Sequence, residues 1–301
     1  SGLGFKVQGS DILKNKNIER LKEKKIKVFL GHKSKNLDKS TVLVVSSAIK
    51  KNNIEYKSAK KLNMPIYSRG EMLGHIVSLM RNVVVTGSHG KTTTTSLLSS
   101  IFTHAKLDPT IINGGILNSF GNSAILGKSN WCLIEADESD GSFLKIPFTY
   151  SIITNIDSEH LDFYNSLKNL KKKFIKFTDK TPSLGKLFIC TDDKNNNEII
   201  KKIKNQNFYT YGTKKNNNFQ IKLNNQNKNY SNFDIKINLP RHNDLIKNIK
   251  IPLLGLHNIR NATASAAICY SIGIPKKIIK HGLFKFNGVQ RRFTHLFDVN
   301  G

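Results

Sequence analysis

The stretch "NVVVTGSHGKTTTTSLL", residues 82–98, decides the fold of this chain. The β-branched run Val83–Val85 indicates a buried strand, and Gly87 and Gly90 indicate a tight turn after it. A helix is expected next, because apolar side chains recur at helical spacing at Leu97, Leu98, Ile101 and Phe102. A glycine turn that leads into a helix presents backbone N–H groups to an anion, so this order predicts a nucleotide-triphosphate site. The alternative is a glycine turn before an ordinary helix.

The loop is shorter than the Walker form G-x-x-x-x-G-K-[ST], because Val85 stands where that pattern requires glycine. Its chemical groups are nevertheless present. Lys91 can neutralise phosphate oxygens, and the Thr92 hydroxyl can reach a magnesium ion. We therefore expect ATP and Mg²⁺ as ligands of a shortened phosphate loop.

Length and composition limit the class of protein. A chain of 301 residues is long enough for about two domains. The cysteines Cys132, Cys190 and Cys269 are far apart, which favours neither a zinc site nor a disulfide framework. No apolar run approaches the ~18 residues that span a bilayer, so we expect a soluble, cytoplasmic protein without a membrane partner.

The formal net charge of +27 raises nucleic acid as a partner. However, the lysines are interspersed with asparagines in stretches such as "DKNNNEIIKKIKNQN", and arginine is scarce. This mixture is typical of a general bias in amino-acid composition and not of a patterned binding face. The scarcity of arginine agrees with that interpretation, since arginine binds bases and phosphates better than lysine does. We expect no specific nucleic-acid partner.

Strands and helices alternate along the chain, which predicts an α/β fold with parallel sheets. A strand at Gly4–Val7, a helix at Ile12–Glu23 and a strand at Lys27–Leu30 open this pattern. We expect residues 1–80 to form a truncated, Rossmann-like domain that lacks its first strand and glycine-rich turn. A P-loop-type domain with a mostly parallel sheet is expected over residues 81–286.

Acidic residues and a histidine follow two further strands of the second domain. Trp131–Ile134 runs into "EADESDGSF", and Tyr150–Thr154 runs into "NIDSEHLDFY". Open α/β sheets bind ligands at the carboxyl ends of their strands. We therefore expect Glu135 and His160 to bind a metal ion together with Thr92. The alternatives are a surface acid for Glu135 and a helix-capping residue for His160.

Five motifs carry a resemblance to a known family: "TGSHGKTTTT", "EADESDGSF", "TNIDSEHLDFY", "LLGLHNIRNATASAAI" and "FNGVQRRF". In order and approximate spacing they resemble the Mur ligase family over nearly the whole chain, and that family's loop, G-[ST]-x-G-K-[ST], is short in the same way. The resemblance implies an ATP-dependent ligase of peptidoglycan synthesis that works through an acyl phosphate. "EADESD" followed by Ser142 and Phe143 favours the member that joins L-alanine to UDP-N-acetylmuramate.

The resemblance also implies roles for individual residues. Phosphate contacts are expected from the loop residues Gly87, Ser88, His89, Gly90, Lys91, Thr92 and Thr93. One magnesium would be held by Thr92 and Glu135 and a second by His160, with adenine at Asn258 and Asn261, whose alternative role is helix N-capping. Arg292 would reach the γ-phosphate. In the first domain, the UDP part of the substrate would lie near Asp11, His32, Ser46, Ser47 and Ala48.

Some features depart from the family pattern. The motif "D-H-x-D" reads Glu159-His160-Leu161-Asp162, and a lysine near residues 171–173 is a candidate for the carbamylation seen in some relatives. Residues 287–301 are expected to be a hinge to a third, amino-acid-binding domain, and an incomplete chain would be inactive or weakly active. The stretch 205–250 is expected to be rich in strands.

Two alternative functions stay open at this point. One is a sister Mur ligase that adds another amino acid or a recycled peptide. The other is a basic P-loop ATPase that acts on nucleic acid, which would require a groove lined by arginine or aromatic side chains.

Overall fold

The computed structural model describes residues 1–113, 124–226 and 228–288. The chain divides into two compact units, one from Ser1 to His75 and one that begins at Ile76. In the described part of the chain, no helix has the length and apolar character needed to cross a membrane.

The first unit contains short strands and helices in alternation. In chain order they are β1 (Gln8–Asp11), α1 (Lys16–Glu23), β2 (Lys27–Leu30), β3 (Leu43–Val45), α2 (Ile54–Lys61), β4 (Ile66–Ser68) and α3 (Arg69–Val77), the last of which ends just inside the second unit. Strand β1 pairs in parallel with β2, and β3 pairs in parallel with β4, which gives two separate two-stranded sheets.

Two boundaries in the first unit differ from the sequence-based expectation. The first strand lies at Gln8–Asp11 and not at Gly4–Val7. The first helix begins at Lys16, because the Asn15 side chain accepts hydrogen bonds from the N–H groups of Asn17 and Ile18 and so caps the helix there.

The second unit is built on one large sheet. Its strands are β5 (Arg81–Thr86), β6 (Thr110–Ile112), β7 (Ala124–Ile125), β8 (Trp131–Glu135), β9 (Tyr150–Ile153), β10 (Lys186–Cys190), β11 (Phe208–Gly212), β12 (Phe219–Gln226), β13 (Ser231–Leu239) and β14 (His242–Ile251). Its helices are α4 (Lys91–His104), α5 (Leu161–Tyr164), α6 (Leu167–Thr178), α7 (Lys194–Ile200), α8 (Leu256–Ser271) and α9 (Lys276–Phe284).

The strand order in this sheet is β14-β13-β12-β11-β10-β9-β5-β8-β6-β7. All neighbours from β12 to β6 are parallel, and antiparallel pairing occurs only at the two ends, among the described strands. The expected α/β fold with a mostly parallel sheet is therefore confirmed. Val83, Val84 and Val85 of the central strand β5 are fully buried, as expected for a parallel strand whose two faces are both covered.

The antiparallel extension buries alternate side chains along each strand. Phe233, Ile235 and Ile237 of β13 are fully buried, and the residues between them are more exposed. This period of two places one face of the hairpin against the main core, which continues the sheet beyond its parallel part.

Helix α8 packs against helix α4, which follows the glycine turn. The Ser265 hydroxyl of α8 donates a hydrogen bond to the Thr94 carbonyl of α4 at 3.2 Å. Helix α9 also lies close to α4: the Ser100 hydroxyl donates to the Gly282 carbonyl at 2.7 Å, and a Cβ at Gly282 would lie 2.6 Å from Ile101 Cα. This packing brings the start of α8 to the phosphate loop.

Candidate nucleotide and metal site

The phosphate loop follows β5 and requires glycine at two positions. Gly87 has φ +129° and Gly90 has φ +84°, both in the region that L side chains rarely adopt. A Cβ at Gly87 would lie 2.2 Å from Thr154 Oγ1 and 2.8 Å from the Asn155 carbonyl oxygen. The turn therefore packs closely against the residues that follow β9, and it leads directly into α4.

Asn155 holds this loop in shape from the end of the neighbouring strand. Its Oδ1 accepts from the His89 N–H and its Nδ2 donates to the His89 carbonyl, both at 2.9 Å. Its own carbonyl accepts the Ser88 N–H at 2.9 Å. Ser88 Oγ accepts the Asp157 N–H at 2.8 Å, so two successive loop residues are fixed by the segment after β9.

Asn155 is not among the residues expected at the site, although it lies inside the motif "TNIDSEHLDFY". The available signal was its position directly after a predicted strand beside the glycine loop. His89, expected at the phosphates, has an exposed ring whose Nε2 lies 3.3 Å from Asp157 Oδ2 and 3.7 Å from Glu159 Oε1.

Lys91 lies folded against its own loop. Its ammonium donates to the carbonyls of Gly87 at 2.7 Å and Ser88 at 3.1 Å, and it pairs with Glu138 Oε2 at 2.8 Å. The side chain is only 12% exposed. The positive charge is thus at the turn where a phosphate group would be expected, and its partners are two carbonyls and one buried carboxylate.

Thr92 and Glu135 meet at the carboxyl end of β8. The Thr92 hydroxyl donates a hydrogen bond to Glu135 Oε1 at 2.9 Å. A hydroxyl and a carboxylate are oxygen ligands of the kind that Mg²⁺ takes in nucleotide sites. The two residues expected to hold one magnesium are therefore together, and their donor set fits that ion.

His160 lies near Glu138, a carboxylate that was not among the expected site residues. Its Nε2 is 3.7 Å from Glu138 Oε1, and one ligand atom each of Asp137, Glu138 and His160 lie within 4.8 Å of one another. His160 is the N-cap residue of α5 with φ +56°, but its side chain makes no capping hydrogen bond to the described part of the helix. Capping by the imidazole therefore does not explain this residue.

Glu138 is the buried charge of the site. Its side chain is fully buried, and burial raises the pKa of its carboxyl above the usual range, while the charge of Lys91 and the hydrogen bond from it act in the opposite direction. Oε2 accepts from Lys91, whereas Oε1 has no hydrogen-bond partner among the described residues. "EADESD" contains four acidic residues, and the sequence offered no reason to choose this one.

The two asparagines at the start of α8 differ in what they contact. A Cβ at Gly90 would lie 2.7 Å from Asn261 Oδ1, so the Asn261 amide is adjacent to the phosphate loop. Asn258 Nδ2 donates to the Leu254 carbonyl at 2.8 Å. The N-cap residue of α8 is Gly255, so neither asparagine has that role.

Two further residues were expected at the nucleotide, Thr93 and Arg292. Thr93 is 5% exposed and lies in the first turn of α4. Arg292 lies outside the described residues.

In the first unit, the expected substrate residues follow the strand ends. Asp11 ends β1, and its Oδ1 accepts the Leu13 N–H at 3.1 Å. His32 follows β2, with Nδ1 3.0 Å from Ser10 Oγ and 3.3 Å from Glu55 Oε2. Ser46, Ser47 and Ala48 form an exposed turn after β3.

Glu55 on α2 organises the groups around His32. It accepts hydrogen bonds from the Ser10 hydroxyl at 2.7 Å, the Asn36 amide at 2.7 Å and the Lys33 N–H at 3.3 Å. Both of its carboxylate oxygens thus have donors although the residue is only 7% exposed. Glu55 is not among the residues expected from the sequence, since a lone acid in a lysine-rich helix is typical of an exposed surface.

Comparison with known proteins yields matches over both units. Residues 85–269 match the Mur ligase middle domain, and residues 2–81 match a domain described as "Mur ligase family, catalytic domain". The chain is 62% identical over 296 residues to UDP-N-acetylmuramate–L-alanine ligase of Pelagibacter ubique and 42% identical over 302 residues to the enzyme of that name from Brucella ovis. These alignments cover 98% and 99% of this chain and 64% of each relative.

Solved structures show the same fold. UDP-N-acetylmuramate-alanine ligase from Thermotoga maritima aligns with a TM-score of 0.80 at 26% identity, over 97% of this chain and 65% of that one. A ligase from Neisseria meningitides for UDP-N-acetylmuramate and L-alanyl-gamma-D-glutamyl-meso-diaminopimelate aligns with a TM-score of 0.84 at 24% identity, over 96% and 93%. The chain spans 64% of the length of the two curated relatives.

Proposed function

We propose, because the chain belongs to the Mur ligase family, that it carries the ATP site and the UDP-substrate unit of an enzyme that joins L-alanine to the carboxylate of UDP-N-acetylmuramate. The proposal includes a place in peptidoglycan synthesis and in the cytoplasm. It is supported by the names of the relatives that are 62% and 42% identical to nearly all of this chain.

One observation carries the proposal. A glycine loop, a lysine, a hydroxyl–carboxylate pair and an asparagine meet at the carboxyl ends of parallel strands, where α/β sheets bind their ligands. Each group fits one part of a magnesium nucleotide. The backbone N–H groups at the start of α4 and Lys91 suit phosphates, and Thr92 with Glu135 suits Mg²⁺.

The proposal also assigns ligand contacts to the other residues that the family resemblance implies. Asn261 and Asn258 would contact adenine, His160 would hold a second magnesium, and Arg292 would reach the γ-phosphate. In the first unit, Asp11, His32 and the turn Ser46–Ala48 would bind the UDP part of the substrate.

The proposed reaction has two steps. The γ-phosphoryl group of ATP passes to the muramoyl carboxylate, giving an acyl phosphate and ADP. The amine of L-alanine then attacks the acyl carbon, loses a proton and displaces phosphate, which leaves an amide. Mg²⁺, when bound, neutralises charge on the transferring group. Lys91 would stabilise the same charge, while the clamp from Asn155 fixes the loop in front of α4, so that the N–H groups at the start of the helix need no rearrangement to meet the phosphates.

Product formation tests this proposal. Because the chain spans only part of its relatives, residues 1–301 are joined to the part of the Pelagibacter ubique enzyme that they do not cover. This protein is given ATP, Mg²⁺, UDP-N-acetylmuramate and each of L-alanine, glycine, L-serine and L-alanyl-gamma-D-glutamyl-meso-diaminopimelate. Product with L-alanine supports the proposal, whereas product with the tripeptide alone favours the sister ligase.

The alternative of a nucleic-acid-dependent ATPase is tested with residues 1–301 alone. We expect ATP hydrolysis to be unaffected by single-stranded DNA, and any DNA binding to fall steeply as salt rises, because it would rest on the net charge of +27 alone. Hydrolysis that DNA stimulates at moderate salt would favour the alternative.

A further inference from the structure

The buried side chain of Glu138 has, among the described residues, one oxygen with a hydrogen-bond donor and one without. Oε2 lies 2.8 Å from the Lys91 ammonium, and Oε1, although buried, has no hydrogen-bond donor in the described part of the chain. Oε1 points towards His160, whose Nε2 is 3.7 Å away. A buried carboxylate oxygen without a donor costs free energy, which a further cation at this place would recover.

The Lys91 ammonium cannot keep all of its present contacts, including the one to Glu138, and also bind a phosphate group. Its ammonium has three donors, and these are directed to Glu138 Oε2 and to the carbonyls of Gly87 and Ser88. To bind a phosphate oxygen, the ammonium must give up at least one of these contacts. Giving up Glu138 would leave a fully buried carboxylate without its charge partner, which is strongly unfavourable unless another cation replaces the lysine.

We propose that Glu138 is a positioning residue that exchanges Lys91 for a divalent cation when a nucleotide binds. Without nucleotide, Glu138 holds Lys91 against the loop. With nucleotide, Lys91 turns to the phosphates, and Glu138 offers its oxygens, together with Asp137 and His160, to the cation. Nucleotide binding thereby becomes dependent on the cation through Glu138, in addition to any direct contact between the cation and the phosphates.

This inference rests on the proposed nucleotide site but not on the identity of the amino acid or sugar substrate. Its test therefore uses ADP and Mg²⁺ alone, with residues 1–301. Titration calorimetry measures the Kd for ADP in Mg²⁺ and in EDTA for the wild-type chain, for Glu138→Gln and for a matched control. The control is Glu19→Gln, which removes the same charge from another lysine pair, Lys22–Glu19 at 3.4 Å, in the first unit.

The expected result is a change in the dependence on the cation. In EDTA, Glu138→Gln should bind ADP more tightly than the wild-type chain, because Lys91 is free of its competitor. The ratio of Kd in EDTA to Kd in Mg²⁺ should fall by about tenfold, the size of one charge-assisted contact. Glu19→Gln should leave both Kd values unchanged.

Other outcomes separate the explanations. If Glu138→Gln weakens ADP binding by the same factor in Mg²⁺ and in EDTA, or leaves both values unchanged, the exchange is wrong and Glu138 has only a structural role. If the wild-type chain binds no ADP in either condition, both the exchange and the proposed nucleotide site are wrong. A ligation assay without product, beside intact ADP binding, contradicts only the substrate assignment.

A thermal-unfolding cycle tests the ligand-free half of the proposal without any nucleotide. Lys91→Met should lower the Tm, because it leaves Glu138 buried without its partner. Adding Glu138→Gln to Lys91→Met should recover most of that loss. Losses that simply add in the double variant would show that Glu138 does not hold Lys91 in the nucleotide-free chain.

Discussion

The two units present polar groups at the ends of their parallel strands, but they satisfy these groups differently. In the first unit, both oxygens of the buried Glu55 carboxylate have donors. In the second unit, Glu138 is also buried, but only one of its oxygens has a described hydrogen-bond donor, and that donor is Lys91. A fully satisfied network stabilises a fixed arrangement, whereas a partly satisfied one can gain contacts by binding a ligand.

The glycines at these strand ends show the same difference. Gly31 follows β2 with φ +82°, and among the described residues no atom beyond Gly31 and its two chain neighbours lies within 4 Å of where its Cβ would be. Gly87 follows β5 with φ +129° and is surrounded by Thr154 and Asn155. The first turn needs glycine for backbone conformation alone, while the second needs it for conformation and for space.

The largest expected effect is that of substituting Gly87, with the same substitution at Gly31 as its comparison. Gly87→Ala should abolish ADP binding and lower the free energy of unfolding by about 3 kcal/mol, since the methyl group must displace backbone atoms in addition to straining φ. Gly31→Ala should cost about 1 kcal/mol and leave ADP binding intact. Urea unfolding and calorimetry measure both. Equal costs at the two positions would contradict the close packing of the loop.

Substituting the two buried carboxylates is expected to have an intermediate effect. Glu55→Gln should destabilise the first unit by about 2 kcal/mol, because an amide cannot accept from all of the donors that Glu55 serves. Glu138→Gln should cost less than about 1 kcal/mol, because Lys91 keeps its two carbonyl partners.

The two units can be followed separately in this experiment. The only tryptophan of the chain, Trp131, is in the second unit, so its fluorescence reports unfolding there. Amide exchange in α2 reports the first unit. If Glu138→Gln lowers the free energy of unfolding more than Glu55→Gln does, the proposed difference between the two hydrogen-bond networks is wrong.

A smaller effect is expected at His32, which the Glu55 network orients. His32→Ala should weaken UDP binding by about tenfold, the loss of one good hydrogen bond in a binding site, and should leave ADP binding unchanged. Calorimetry with each nucleotide checks this. A loss of ADP binding of equal size would mean that the substitution disturbs more than the first unit.

The smallest effect is expected at an ion pair away from both strand ends. Lys276 Nζ lies 2.7 Å from Asp244 Oδ1, and hydrogen bonds from Lys276 and then from Tyr270 hold the pKa of Asp244 well below its usual range. Both side chains are partly exposed, at 45% and 23%, so Lys276→Met should cost less than about 1 kcal/mol at pH 7.

The sign of the pH dependence follows from the lowered pKa. The pair stabilises the fold above the unfolded pKa of aspartate, about 3.9, and this contribution is lost as the pH falls below that value towards the folded pKa. Denaturant midpoints of the wild-type chain and Lys276→Met should therefore converge in acid. A difference that grows as the pH falls would contradict this assignment.

Much of the fold was predictable from local patterns. Val83–Val85, the two loop glycines and the apolar spacing after Lys91 gave the strand, turn and helix that the structure contains at Arg81–Thr86 and Lys91–His104. The start of α1 was misplaced, because Asn15 was not recognised as the capping residue. A capping side chain is a single polar residue, and it carries little signal in a segment rich in lysine and asparagine.

The candidate site was predictable in its parts but not in its pairings. Thr92 and Glu135 meet as expected, whereas His160 lies beside Glu138, which sequence reasoning had passed over. Helix and strand periodicity places residues on a face or at an end. It does not state which of four neighbouring acids turns inward.

The sequence by itself determined the class of fold, the position of the phosphate loop and the residue types around it, because backbone preferences and apolar periodicity act over a few residues. Only the tertiary structure decided that Lys91 folds onto Glu138, that Asn155 clamps the loop and that Asn261 lies against Gly90. These contacts join residues that are 47, 66 and 171 positions apart, and they depend on strand order and helix packing, which local preferences do not encode.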